Sequence, residues 1–295
     1  MSFADTRLPL IVLDKNRFRG AAATAAKARA DAAGCGVLVI DTTIKEIARH
    51  GDFADHFEKD FRDWTDKPDR ISFSWGIGEV LRHERETNGV MANIVDTEMT
   101  RSLRAVLSAV ASGNESIIKA TKARADNERT DLTASGGALN AAERTSMMRR
   151  MVKFWWDFGS SLLRQAIIDE LNDPTEGPLI VVGRTVLTDT MRDLLQGGMQ
   201  QAGYSETVAR TLLSLPTFTT FLHCGFEAYS LVLWAQGQRL DPGVNEERFL
   251  NQMLDLDYIA YSLCCSGFES NETLMNRIEA GLRRAAASKW SDYTG

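Results

Sequence analysis

The chain has 295 residues, 44% of them apolar and 25% charged, which leaves material for a sizeable core and excludes wholesale disorder. A net charge of −6 excludes nucleic-acid wrapping by bulk charge, so any such contact needs local basic patches. The four cysteines (Cys35, Cys224, Cys264, Cys265) form no Cys-x-x-Cys pair and the four histidines show no ligand spacing, which argues against structural zinc and for reduced thiols.

The opening residues, MSFADTR, lack a basic-then-apolar leader, and a cytoplasmic setting is expected. Leu8 to Asp14, LPLIVLD, is an apolar run ending in an acid, the pattern of a strand buried on both faces in a parallel sheet. Residues 20–33, GAAATAAKARADAA, predict a helix through the high propensity of alanine, with Gly34 and Gly36 marking its end. Val37 to Ile40 predicts a second strand, again followed by an acid, Asp41; Thr42 or Thr43 is placed to cap a helix over IKEIARHG, closed by Gly51. This succession predicts a βαβ unit and a parallel sheet.

From about Glu79 to Glu170, apolar residues recur every three or four positions (Val80, Val90, Ile94, Met99, Leu103, Leu107) and predict helices. Residues 112–146 are polar, with a turn expected at Gly136-Gly137, and PLIVVG at 178–183 admits either a strand or a helix. Helices are expected from Thr188 to about Trp234. Within them Phe218 to Trp234 is very apolar but holds His223 and Glu227, so it reads as a buried helix with no membrane partner. A turn at Asp241-Pro242-Gly243 precedes the helix ERFLNQMLDLDYIAYSLCC; GFES is expected as a third strand and TLMNRIEAGLRRAAA as the last helix. The expected fold is α/β: a parallel-sheet domain from residues 1–78 plus 240–295, around a mainly helical insertion at 79–239.

Ligands of parallel α/β sheets sit outside the carboxyl ends of the strands. Asp14 ends the first strand, with Asn16 two residues on; Asp41 ends the second, with Glu46 one turn into its helix; Asp255 and Asp257 lie on the helix before the third, whose end is flanked by Glu269 and Glu272. Crowded carboxylates acquire raised pKa values unless a cation neutralises them, and Mg²⁺ or Mn²⁺, which take oxygen ligands, are the expected cations. Such clusters serve phosphodiester cleavage. Asp41 reads as a helix cap. Helix positions two apart face different ways, so one of Asp255 and Asp257 is expected in the site, with the choice open.

At these residues the chain resembles the PIN-domain nucleases. IVLDKNRFRG resembles their first motif, a strand ending in Asp with Asn two residues later, and VLVIDTTIKEIARHG the second, a strand and then a helix bearing a Glu, here Glu46. LDLDYIAYSLCCSGFESNETL resembles the third and fourth, an acid on a helix and then a strand ending in Ser/Thr-x-acid, here Asp255 or Asp257 and Ser270-Asn271-Glu272. The resemblance covers roughly residues 8–55 and 245–285. It implies a parallel α/β fold and a metal-dependent endoribonuclease hydrolysing RNA phosphodiester bonds. It further implies that Asp14, Glu46, Asp255 or Asp257, and Glu272 serve as catalytic residues and hold Mg²⁺ or Mn²⁺, with Asn16 orienting Asp14 or the water.

Lys15, Arg17 and Arg19 are placed to meet phosphates of a single-stranded RNA at the rim. The helical insertion is expected to select substrate or to bind an inhibitor or partner protein. MMRRMVKFWWDF at 147–158 joins basic and aromatic residues, as a nucleic-acid stacking platform does, but an amphipathic helix with buried tryptophans is the expected reading. Phosphate loops and nucleophile elbows are absent. The alternative to a nuclease is a catalytically inactive PIN-like scaffold of a larger assembly, motivated by Glu rather than Asp at the fourth position and by the long insertion.

Overall fold

The computed structural model describes residues 8–48, 53–114, 116, 141–201, 203–240 and 246–292; the expected turns at Gly51, Gly136-Gly137 and Asp241-Pro242-Gly243 lie outside these residues. The strands are β1 (Leu8–Leu13), β2 (Gly36–Val39), β3 (Ile71–Ser74), β4 (Val95–Asp96) and β5 (Cys265–Glu269). They form one sheet in the order β4-β3-β2-β1-β5, parallel except for β4, which pairs antiparallel with β3. The expected α/β class with a parallel sheet is therefore what forms.

Period-two alternation distributes the strand side chains between two cores. Leu10 and Val12 of β1, with Leu38 of β2 and the following Ile40, point to one face; Ile11 and Leu13, with Val37 and Val39, point to the other. The second face is covered by α1 (Gly20–Ala33), α3 (Phe53–Phe61) and α5 (Thr97–Ala111), which bring Ala23, Ala26, Phe61, Leu103 and Leu107 around Phe18 and Trp64. α2 (Asp41–Ala48) follows β2, and α4 (Ile77–Thr87) follows β3.

The first face carries the larger core. It is built by α6 (Ala141–Phe158), α7 (Ser161–Leu171), α8 (Ile180–Val186), α9 (Asp189–Gln201), α10 (Glu206–Ser214), α11 (Phe218–Ala235), α12 (Glu246–Leu263) and α13 (Thr273–Lys289). α11 is the expected buried helix, and of its residues only His223 is not fully buried. No described helix is long and apolar enough to cross a membrane.

Three local readings change. ISFS forms β3, a strand not expected from the sequence; four residues give too short an alternation to stand out. The helical periodicity assigned across Val90, Ile94 and Met99 is interrupted: Asn88 ends α4 in the left-handed conformation (φ 54°), and the chain pairs as β4 before Asp96 caps α5 through the amides of Glu98 and Met99. PLIVVG is helical from Ile180, because Leu179, Val182 and Val186 reach the core at helical spacing. The expected boundary between residues 78 and 79 falls inside α4, and the sheet layer continues through β4 and α5.

One carboxylate ties the sheet layer to the central helix. Glu84 of α4 is buried and accepts hydrogen bonds from the Phe218 amide (2.9 Å), the Thr219 amide (2.8 Å) and the Thr219 hydroxyl (2.7 Å). It thereby satisfies donors at the start of α11 that no residue of that helix can reach. Glu84→Ala is expected to destabilise the fold by about 2–4 kcal/mol, because several buried donors lose their acceptor at once. Glu84→Gln, which keeps one oxygen, is expected to lose less; urea unfolding of both variants measures the difference.

Candidate acidic site

The parallel strands fix where the acids can meet. β1 and β5 are neighbours and end level, with Leu13 beside Glu269, so Asp14 and Ser270 emerge side by side at the carboxyl edge. The Asp14 amide donates to the Glu269 carbonyl (2.9 Å), and the Ser270 hydroxyl donates to Asp14 Oδ2 (2.9 Å). Asp14 is buried, and burial pushes its carboxyl pKa up; Ser270 and backbone groups of Asn16, Asn271 and Lys15 partly offset this. The Asn16 backbone is thus one of the groups that hold Asp14.

α12 brings the next acid. Only Cys264 separates its last residue, Leu263, from β5, so the helix must run back along the strand it precedes. Asp255 stands eight residues before Leu263, about 12 Å of helical rise, and the five residues of β5 span about 16 Å, which lifts Asp255 toward the carboxyl edge. Asp255 is half-buried, and its pKa is raised to about 8 by burial first, and then by the charges of Asp14, Glu46, Glu272 and Asp257. Four of the acids expected at the edge therefore act on the fifth.

Asp257 does different work. Its Oδ1 accepts from Arg144 Nη1 at 2.7 Å and its Oδ2 from the Thr42 hydroxyl at 2.9 Å, with both members of the ion pair buried. Burial raises the Asp257 pKa and Arg144 opposes that rise. With two residues amounting to about 200° of helical turn, Asp257 points into the protein and Asp255 toward the edge. Of the two, Asp255 is the one on which the charges of Asp14, Glu46 and Glu272 act.

Glu46 lies on α2, with Oε2 accepting from the Tyr258 hydroxyl at 2.9 Å. That phenol oxygen stands 3.0 Å from Thr43 Oγ1, so the threonine donates to the tyrosine and the tyrosine to the glutamate. Tyr258 is fully buried, and burial and the charge of Glu46 hold its own pKa well above the usual phenol value. Glu272 is the N-cap residue of α13 and is exposed; its amide donates to the Ser270 hydroxyl oxygen at 3.0 Å. Asp41 opens α2, as a helix-start acid does.

The basic residues near the first strand are engaged within the chain. Arg17 pairs with Glu269 (3.0 Å) and donates to Asn271 (3.1 Å), and Arg19 pairs with Asp60 (3.3 Å). Arg17 thus ties the turn after β1 to the end of β5. In the 147–158 segment Trp155 is buried and donates to Ser230, as expected for an amphipathic helix, while Trp156 donates to the Gln238 carbonyl. Sequence reading missed Tyr258, Thr43 as its partner, and Arg144. A tyrosine one turn from an acid on a single helix was a legible signal for the first; Arg144 sits in a polar stretch that gives none.

All the side chains that converge here offer oxygen, the donor set of a hard divalent cation. Among the described residues, no three acid, imidazole or thiol groups stand close enough together, as they are, to hold a metal ion. Comparison with protein-family models, curated proteins and solved structures finds no match to this chain.

The two aspartates of α12 separate in a stability measurement. A carboxyl whose folded pKa lies above its unfolded value, near 4, stabilises the fold at low pH and loses that contribution as pH rises through the folded value, here about 8. Metal-free protein is expected to lose melting temperature between pH 5 and 9, and Asp255→Asn to remove part of that loss, gaining about 2–4 °C or more at pH 9. Asp257→Asn is expected to act oppositely, destabilising by about 3–5 kcal/mol by leaving Arg144 buried without its counter-charge. Thermal melts across this pH range report both.

Proposed function

We propose that this acidic edge is a metal-dependent phosphodiesterase site and that the protein is an endoribonuclease of the PIN type. The observation that carries this reading is the convergence of Asp14, Glu46 and Glu272, from three separate parts of the chain, upon a half-buried Asp255 whose pKa is raised first by burial and then by their charges. Arg144 is paired with Asp257 and Arg17 with Glu269. Asp14, Glu46, Asp255 and Glu272 would hold Mg²⁺ or Mn²⁺. Such an ion supplies a lowered pKa for water and stabilisation of charge on the phosphate oxygens.

The chain's own groups supply orientation. Ser270 fixes one oxygen of Asp14, and Tyr258, itself held by Thr43, fixes one oxygen of Glu46. Asp255, whose pKa is raised by burial and by the surrounding acids, is a carboxyl that added positive charge would favour in its ionised form. Glu272, exposed at the start of α13, closes the edge toward solvent, where a single-stranded RNA would enter.

A second reading is favoured by one observation. The acids as they stand are too dispersed to form a metal cluster, and the protein would then be a PIN-like scaffold component without catalysis. Cleavage of a single-stranded RNA with Mn²⁺ separates the two. Wild type is expected to cut, and Asp14→Asn and Asp255→Asn to cut at least about 100-fold more slowly. Equal cleavage by wild type and both variants would reject the nuclease reading. Absence of Mn²⁺ binding by calorimetry at millimolar concentration would support the scaffold.

A further inference from the structure

α8 rests on α13 at backbone contact distance. A Cβ on Gly183 would stand 2.4 Å from the Gly281 carbonyl oxygen, and one on Gly281 would stand 2.1 Å from that of Leu179, so only glycine permits this approach. The two helices are also tied at both ends of α8: the Leu179 amide donates to the Arg277 carbonyl (3.1 Å), and Lys289 Nζ donates to the Leu187 carbonyl (2.7 Å). The seam is therefore rigid.

Along this seam lies a cavity of about 380 Å³, at the lower end of the range of small-molecule sites. Ile180 and Leu187 contribute apolar wall, and Arg184, Arg284, Ser288 and Lys289 contribute the polar groups; no acid lines it. Arg184 and Arg284 are exposed, and among the described residues neither guanidinium has a hydrogen-bond or ion-pair partner. Neighbouring arginines behave otherwise: Arg192 pairs with Asp189, Arg210 with Glu206 and Arg283 with Glu279. Three cations around a preformed concavity, on a chain of net charge −6, concentrate anions there.

We propose that this cleft binds the phosphate group of a small phosphorylated molecule. Guanidinium forks match phosphate oxygens bidentately, Lys289 adds a point charge and Ser288 a hydroxyl donor, while the apolar wall accommodates the organic remainder. The site is distinct from the acidic edge: Arg284 lies twelve residues along α13 from Glu272, about 18 Å of helix. The inference does not rest on the nuclease reading, and either can fail without the other.

Calorimetric titration of the full chain in a metal chelator, with inorganic phosphate, pyrophosphate, adenosine monophosphate and adenosine, tests it. The phosphate-bearing probes are expected to bind with an affinity that falls as salt rises, and adenosine is not. Arg184→Ala with Arg284→Ala is expected to weaken binding by roughly tenfold or more, at unchanged ligand-free melting temperature since both side chains are exposed. Asp255→Asn is expected to leave binding intact. Tighter binding of the nucleotide than of phosphate identifies a phosphorylated metabolite as the occupant, and equal binding identifies free phosphate. No binding of any phosphate-bearing probe at about 10 mM, or undiminished binding to the double variant, overturns the proposal.

Discussion

The arrangement of the acidic edge depends on the buried pair between Arg144 and Asp257. It joins three parts of the fold, with Arg144 on α6, Asp257 on α12 and Thr42 on α2 as the second partner of the carboxylate. Arg144 also donates to the Met253 carbonyl at 3.2 Å, one turn back along α12. A buried ion pair adds little net stability over a well-packed apolar pair, but it is directional, and leaving one member alone is expensive. Here the direction matters: it sets the rotation of α12 about its axis. With Asp257 held inward, Asp255 must face the carboxyl edge, and Tyr258, only about 60° around the helix from Asp255, falls within reach of Glu46.

That rotation brings like charges together, and apolar burial on the other faces of α12 opposes the repulsion. Leu256, Ile259, Ala260, Tyr261 and Leu263 are completely buried in the core shared with α11. A fully buried Leu or Ile side chain contributes about 1.5–3 kcal/mol. Two carboxylates 4 Å apart in a partly solvated site repel by an amount of about 4 kcal/mol, and less as water enters. The helix can therefore hold an acid against its neighbours, and burial together with their charges raises the pKa of Asp255. A proton and a divalent cation are alternative ways of relieving the same crowding. This is why the pKa of Asp255 is informative about what the edge is suited to hold.

Much of this architecture is legible in the residues. LPLIVLD and the alanine-rich segment after it read correctly because a doubly buried strand and an alanine helix each use an extreme of composition. That the charges of Asp14, Glu46 and Glu272 reach Asp255 follows from placing acids at strand ends in a parallel sheet, without knowledge of side-chain positions. β3 and β4 were not legible, because strands of four and two residues leave almost no periodic signal and owe their existence to neighbours already in place. The choice between Asp255 and Asp257 needed Arg144, distant in sequence by more than a hundred residues, and no local pattern announces such a partner. The partner of Arg17 was hidden for the same reason: Glu269, delivered by β5, is distant in sequence from it.

The two charged regions share a single element, and its polarity suits both. α13 begins at Glu272, within the acidic edge, and ends at Lys289, on the cationic cleft. A helix carries partial positive charge at its N-terminus and partial negative charge at its C-terminus. An acid at the N-cap, Glu272, and a cation in the last turn, Lys289, are each favoured by that dipole. Glu272 can then join a crowded edge although it is exposed, and Arg284 and Lys289 can remain close to one another without acids among them. The seam with α8, at Gly183 and Gly281, runs beside that cleft. Both regions thus meet on one helix: its N-terminus follows β5, which pairs with β1, and its C-terminal half is held against α8 at Gly183 and Gly281.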